Sequence, residues 1–286
     1  MDILETRVTN SSNRKVSWMG DNVEAKKGVF EKATNPFGEI KRVVAVMSGK
    51  GGVGKSSVTA LLAGSLREKG FKVGVLDGDL TGPSIPKLFG VKEKAGSLEN
   101  SLLPVETATG IKIISINLLL EKEDDPVIWR GPLISGVIKQ FYSEVVWEDL
   151  DYLLVDLPPG TGDAPLTVMQ SLPLTGLVIV SSPQDLVAMI VRKAVRMAEQ
   201  LKIPIIGLIE NMSYLLCPDC GKRIDLFGES KAKEVAANSG IKLLGTLPVF
   251  PEVAAMSDAG RIEAVHANIP GFFTETIENF LKNIAH

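Results

Sequence analysis

The sequence predicts an α/β layered fold, a mostly parallel sheet with helices on both faces. Three observations carry that prediction. Short, nearly continuous β-branched runs recur along the chain, helical apolar stripes lie between them, and a glycine-rich turn joins the first run to the first stripe. Runs that are apolar on both faces suit strands covered by helices on both sides. Strand–helix alternation then favours a layered, parallel arrangement.

Residues 1–40 are polar, lack periodicity and contain TNSSNRK and ATNPFGE. They are expected to form an arm, extended or poorly ordered, with no fold of its own. From Lys41 the texture changes, and 41–286 is expected to be one domain. Its predicted strands are RVVAVMS, KVGVLD, IKIISIN, YLLVDLP, GLVIVSS, PIIGLIEN and KLLGTLP. After the first, Val58, Leu61, Leu62 and Leu66 fall on one face of a helix that ends near Gly70. A longer helix follows Pro183, with Leu186, Ile190, Ala194, Ala198 and Leu201 as its stripe. The terminal segment FFTETIENFLKNIAH puts Phe273, Ile277, Phe280, Leu281 and Ile284 on one side. Glu275 and Glu278 balance Lys282 there, so packing onto the sheet is expected rather than attraction to an anionic membrane.

Bulk properties exclude several classes. The 286 residues are 45% hydrophobic, enough for a large core. A net charge of −3 gives no electrostatic reason to expect a nucleic acid partner. No apolar run approaches the ~20 residues that span a bilayer. The opening MDILETRVTN lacks the apolar core of a secretory signal. With Cys217 and Cys220 as the two cysteines, a disulfide framework is excluded and a reducing compartment is expected. The expectation is a cytoplasmic chain with neither nucleic acid nor membrane as partner.

Residues 46–58 read VMSGKGGVGKSSV and contain G-x-x-x-x-G-K-S from Gly49 to Ser56, between a strand and a helix. Gly49, Gly51, Gly52 and Gly54 let the backbone turn its N–H groups toward anionic oxygens, and the helix N-terminus adds its dipole. Lys55 is expected on the β- and γ-phosphates and Ser56 on Mg²⁺, so ATP and Mg²⁺ are the expected ligands. The expected nucleotide-binding run is Gly49, Lys50, Gly51, Gly52, Val53, Gly54, Lys55, Ser56 and Ser57. VLDGDLTGPS ends the second strand with Asp77 and Asp79, and YLLVDLPPGTGD ends a later one with Asp156, followed by Gly160. One such carboxylate can hold Mg²⁺, and a second can orient the attacking water.

CPDC, residues 217–220, sits in a loop after the sixth predicted strand. The spacing alone fits half of a metal or cluster site, a redox dithiol, or two incidental cysteines. Two copies would supply the four thiolates of an iron–sulfur cluster, or of a tetrahedral Zn²⁺. His266 and His286 form no ligand cluster and are expected at the surface.

GKGGVGKSS resembles the deviant Walker A loop of the ATPase group that contains MinD, ParA and the nitrogenase iron protein. In that group an extra lysine, matched here by Lys50, reaches across a homodimer to the partner's nucleotide. DGDLTGPSIPKLFG, WRGPL, LLVDLPPGTGD, SSPQD, ENMSY and CPDC are similar to the Mrp/ApbC family of iron–sulfur cluster carriers, over about residues 40–260. The resemblance implies a three-layer P-loop NTPase fold and a slow ATPase whose catalytic residues are Lys50, Lys55, Asp79 and Asp156. Asp79 would position the hydrolytic water, Asp156 would be the Walker B acid and Asn211 would contact the adenine. It also implies a homodimer in which Cys217 and Cys220 of both copies hold a bridging [4Fe–4S] cluster, with Zn²⁺ as a substitute, for delivery to apo iron–sulfur proteins. The alternative is a MinD/ParA-like positioning or partitioning ATPase. The chain departs from parts of the family in lacking a four-cysteine N-terminal motif, and it shows the polar arm where many bacterial members have a small domain.

If Lys50 serves the neighbouring subunit, Lys50→Ala abolishes hydrolysis and largely spares ATP binding, whereas Lys55→Ala damages both. Paired phosphate-release and nucleotide-binding assays separate the two outcomes.

Overall fold

In the computed structural model, residues 32–80, 82–98, 101–120, 131–183 and 187–285 are described. The described elements begin with β1 (Val43–Ser48), α1 (Lys55–Glu68), β2 (Val73–Asp77) and α2 (Ile85–Phe89). Two short hairpin strands, β3 (Gly96–Leu98) and β4 (Ser101–Leu103), precede β5 (Val105–Glu106) and β6 (Lys112–Ile114). Then follow α3 (Gly131–Ser143), β7 (Tyr152–Asp156), α4 (Asp163–Ser171), β8 (Gly176–Ser181), α5 (Val187–Leu201) and β9 (Ile205–Glu210). A second small hairpin, β10 (Leu215–Leu216) and β11 (Arg223–Ile224), leads to α6 (Ala232–Asn238) and β12 (Leu243–Thr246). The helices α7 (Pro251–Asp258), α8 (Val265–Asn268) and α9 (Thr274–Ile284) close the chain.

Eight strands form one sheet in the order β12-β9-β8-β1-β7-β2-β6-β5. All neighbours are parallel except β5 and β6, so the expected mostly parallel sheet is present. Period-two alternation explains why its strands read as unbroken apolar runs. In β1, Val43, Ala45 and Met47 enter the core on one face, and Val44 and Val46 enter the core on the other. β7 and β8 divide in the same way: Leu153, Val155, Leu177 and Ile179 face one side, and Leu154, Val178 and Val180 the other. Residues of α3, α4, α5 and α6 line the first core, and residues of α1, α2, α8 and α9 line the second. The result is the expected three-layer architecture.

From β1 the chain builds toward one edge through β2 and β6, returns to β7 beside β1, and then builds the opposite edge through β8, β9 and β12. Ligands of open α/β sheets bind outside the carboxyl ends of the strands where the order reverses, which here is the end carrying the β1–α1 turn.

The α1 and α9 expectations hold: Val58, Leu61, Leu62 and Leu66 are buried, as are Phe273, Ile277 and Phe280, with Leu281 and Ile284 packed against the same core. The stripe of α5 holds in part. Ala194 and Ala198 are buried and Leu201 packs against the same core, but Val191, Val195 and Met197 are buried with them, and Leu186 lies outside the described residues. Ile190 instead stands over the phosphate loop, where a Cβ added to Gly49 would overlap its Cγ2. The histidine expectation is also corrected for His266, whose side chain is 11% exposed against α1. Burial lowers its pKa, and Glu68 opposes that shift. His286 lies outside the described residues.

Residues 1–31 of the arm lie outside the described residues. Residues 32–40 form no helix or strand beyond an isolated bridge at Ile40 and are anchored on the domain. Ala33 N–H donates to Ser171 O at 3.1 Å, Asn35 Nδ2 donates to Tyr142 O and Val145 O at 2.7 and 2.8 Å, and Ile40 bridges Leu150. Both small hairpins escaped the periodicity reading because two- and three-residue strands are too short to show a period. Among the described residues no helix is long and apolar enough to cross a membrane.

Trp147 is wholly buried, and its Nε1–H donates to Phe141 O at 3.0 Å. Trp147→Ala should cost about 3–5 kcal/mol through the cavity it leaves, read as a lowered urea midpoint with an unchanged m-value.

Candidate functional site

The turn between β1 and α1 carries the phosphate-loop motif. Gly52 and Gly54 have φ of +80° and +76°, a left-handed backbone that glycine adopts without strain. A Cβ at Gly51 or Gly52 would meet nothing within 4 Å, so this wall of the turn is open to a ligand. A cavity of about 260 Å³ lies over it, lined by Gly51, Gly52, Gly54, Lys55, Ser56 and Asp79, among others. Ser57 also lines it.

Asp156 lies behind the loop. It ends β7, which pairs with β1, so the register places its carboxylate beneath the start of α1. The group is fully buried and holds three side-chain donors: Lys55 Nζ at 2.6 Å and Ser56 Oγ at 2.6 Å on Oδ2, and Thr59 Oγ1 at 2.7 Å on Oδ1. Lys55 is itself only 6% exposed. A buried ion pair of this kind persists when the remaining lone pairs also find donors, and here they do.

Asp77 occupies the equivalent end of β2, opposite Asp156 in register. Ser115 Oγ and Ile85 N donate to its Oδ2 at 3.0 and 3.3 Å, and Asp79 N donates to Oδ1 at 3.3 Å. Burial, then the charge of Asp156, push its carboxyl up to about 8, with Lys55 and the Ser115 and Ile85 hydrogen bonds pulling back. Asp79, two residues on, is half-buried at the cavity wall.

Asn211 follows β9, and its Nδ2 donates to Val53 O at 3.0 Å, tying the end of that strand to the phosphate loop. The next residue, Met212, has a left-handed φ of 56°. Lys50 is half-buried, and its side chain has no hydrogen-bond or ion-pair partner among the described residues. The Gly160 N–H is bonded to Ser48 O at 2.8 Å. The structure thus gathers the loop residues, Asp79, Asp156 and Asn211 around one strand-end site.

Cys217 and Cys220 lie outside that cavity, in the turn of the β10–β11 hairpin. Cys217 N donates to Lys222 O and Gly221 N to Cys217 O, both at 2.9 Å, with Gly221 left-handed. The backbone N–H of Cys220, then that of Asp219, lowers the Cys217 thiol pKa, followed by the Cys220 side chain. The turn therefore favours a thiolate at Cys217, the form that binds metal. Cys220 is exposed, and both thiols are free. Among the described residues no group of three or more His, Cys, Asp or Glu side chains is placed to hold a metal, so one chain offers this turn two ligands.

Thr59 and Ser115 were not singled out from sequence. Thr59 was within reach: it stands one helical turn after Lys55, so both share the face of α1 that looks onto β7. Ser115 had no such signal, because only the β2–β6 pairing brings it to Asp77.

The family model described as NUBPL iron-transfer P-loop NTPase, within the ParA group, matches residues 39–285. A protein of Clostridium perfringens named iron-sulfur cluster carrier protein is 49% identical over 242 residues, 82% of this chain and 85% of its own length. A Methanocaldococcus jannaschii protein of the same name is 49% identical over 226 residues, 78% of this chain and 77% of its own. A solved nucleotide-binding protein from Archaeoglobus fulgidus, in complex with ADP and with Co found, superposes with a TM-score of 0.71 at 51% identity, covering 78% of this chain and 88% of that one. The cell division ATPase MinD of Pyrococcus furiosus shares the fold, with a TM-score of 0.58 at 18% identity over 86% and 98% of the two chains.

The raised Asp77 pKa gives a sign for pH dependence. The folded chain keeps a proton that the unfolded chain releases near pH 4, so this contribution to stability is full below about pH 4 and is lost as pH rises toward about 8. Asp77→Asn should flatten that part of the profile and gain stability relative to the parent at pH 9, measured by urea midpoints between pH 5 and 9.

Proposed function

The chain belongs to the NUBPL-type iron-transfer P-loop NTPases of the ParA group, and from that premise we propose that it carries an iron–sulfur cluster between two copies of itself under the control of bound ATP. The observation that carries this reading is the cysteine turn: two thiols, one biased toward thiolate, held by a closed hairpin that supplies half of a four-thiolate ligand set. A two-fold axis through the hairpin completes the set and makes the contact isologous. Leu216, Ile224, Leu226 and Phe227, on or beside the same hairpin, are each 41–48% exposed and give such a contact its apolar surface. The cluster is cargo, received at this surface and passed to apo-proteins.

ATP with Mg²⁺ fits the loop: the turn is open on its glycine side, Lys55 and Ser56 line the cavity, and Asp156 backs both. Magnesium, when bound, supplies charge neutralisation for phosphoryl transfer. Lys55, now on Asp156, would serve the phosphate oxygens of a bound nucleotide, and Ser56 would hold the cation through its hydroxyl oxygen. Asp79 at the cavity wall orients the attacking water. Lys50, without a partner among the described residues, is the cation offered to the neighbouring copy's phosphates, where it stabilises charge in the transition state. Turnover is slow because that lysine arrives only with a correctly docked partner.

Cluster and nucleotide need one mechanical link if binding of one is to bias the other. Asn211 touches the phosphate loop through Val53 O, and six residues later the chain reaches Cys217. Buried Glu210, accepting from Ser213 Oγ at 2.6 Å and Ser230 Oγ at 2.5 Å, ties the two ends of the hairpin segment together.

Anaerobic reconstitution with iron and sulfide tests the reading. Cys217→Ser should lose the cluster absorbance and the iron bound per dimer while keeping nucleotide affinity. An iron stoichiometry unchanged by that substitution would sink it.

A further inference from the structure

Asp156 has three side-chain partners, and two of them are needed elsewhere once nucleotide arrives. Lys55 Nζ and Ser56 Oγ both sit on Oδ2, and both groups also line the phosphate cavity. Thr59 differs. It sits in the interior of α1 with no exposed surface, does not line the cavity, and donates to the other oxygen, Oδ1, at 2.7 Å. Its hydroxyl also lies 3.1 Å from Lys55 O, but the shorter contact to a charged oxygen takes the proton.

We propose that Thr59 is a positioning residue for the nucleotide-dependent cation: it pins the Asp156 carboxylate while Lys55 and Ser56 exchange partners, so that Oδ2 keeps facing Ser56. The proposal rests on the ATPase reading above. Without the hydroxyl, Oδ1 is a buried charged oxygen with no donor among the described residues, and an unpaired group of that kind carries the full desolvation penalty. Rotation of the unpinned carboxylate relieves that penalty and turns Oδ2 away from Ser56, the residue that would hold the cation. Binding of the nucleotide itself, through loop N–H groups and Lys55, does not pass through Thr59. The effect is therefore confined to the magnesium-dependent part of binding.

The test uses the full chain, a fluorescent ADP and a Mg²⁺ titration. In Thr59→Val, which keeps the volume and removes the donor, the Mg²⁺ concentration for half-maximal enhancement of ADP binding should rise about tenfold or more, as expected for a lost hydrogen bond to a charge. ADP affinity in EDTA should stay within about twofold. Thr59→Ser, which keeps the donor and loses the methyl, should restore the Mg²⁺ midpoint. An unchanged midpoint in Thr59→Val, an equal loss with and without Mg²⁺, or failure of Thr59→Ser to restore it would each overturn the proposal in favour of a packing role. Should Thr59→Val not fold, Thr59→Cys, similar in size with a weak donor, is read by the same criteria. If the unaltered chain binds no ADP with or without Mg²⁺, the ATPase reading fails at its root, whereas ADP binding with no Mg²⁺ dependence overturns the positioning role of Thr59 alone.

Discussion

The buried pairing of Lys55 with Asp156 is the constraint on which the rest of this molecule depends. It joins the first turn of α1 to the end of β7, across the β1–β7 pairing at the centre of the sheet. A lysine and an aspartate removed from water this far contribute little net stability, because desolvation offsets their attraction. Breaking such a pair is still costly, by about 3–5 kcal/mol, since the surviving charge is stranded. The pair makes better sense as a chemical arrangement than as a structural one. It keeps a lysine desolvated and extended at the floor of an anion cavity, with a carboxylate ready behind it.

That arrangement requires the surrounding architecture. Parallel strands bring Asp77 and Asp156 to the same end of the sheet and side by side in register. The apolar cores on both faces exclude water from the layer in which these carboxylates lie. The same exclusion, and then the charge of Asp156 beside it, raises the Asp77 pKa. Glycines are required where the loop must turn or be approached closely: Gly54 is left-handed and lies against Asn211, and Gly49 lies beneath Ile190.

The cysteine hairpin is built on the opposite principle. It is short, exposed and poor in core contacts, and its order comes from backbone hydrogen bonds within the turn. Exposure suits the cluster hand-over proposed for the cysteines, whereas burial suits the phosphate chemistry proposed for Lys55 and Asp156. Its attachments to the domain, through Ser213 N to Leu247 O and Val249 N to Tyr214 O, both 2.7–2.8 Å, fix where the turn emerges. The hairpin is thus anchored at its base and free at its tip.

The sequence by itself determined the layered class, all seven parallel strands it marked, and the phosphate loop. These features are legible because they are local: strand faces alternate every residue, helical stripes recur every three or four, and the loop's glycines and lysine are contiguous. It also marked Asp79, Asp156, Asn211 and the cysteine pair as strand-end and loop features. Only the tertiary structure decided how they are connected. That Ser115 meets Asp77, that Asn211 binds the phosphate loop and that Ile190 serves the loop instead of the core are consequences of strand order and helix docking. That His266 is enclosed against α1 has the same origin. These contacts join residues from 38 to 201 positions apart (38 for Asp77–Ser115, 158 for Val53–Asn211, 201 for Ser65–His266), and no local pattern encodes a partner at such a distance.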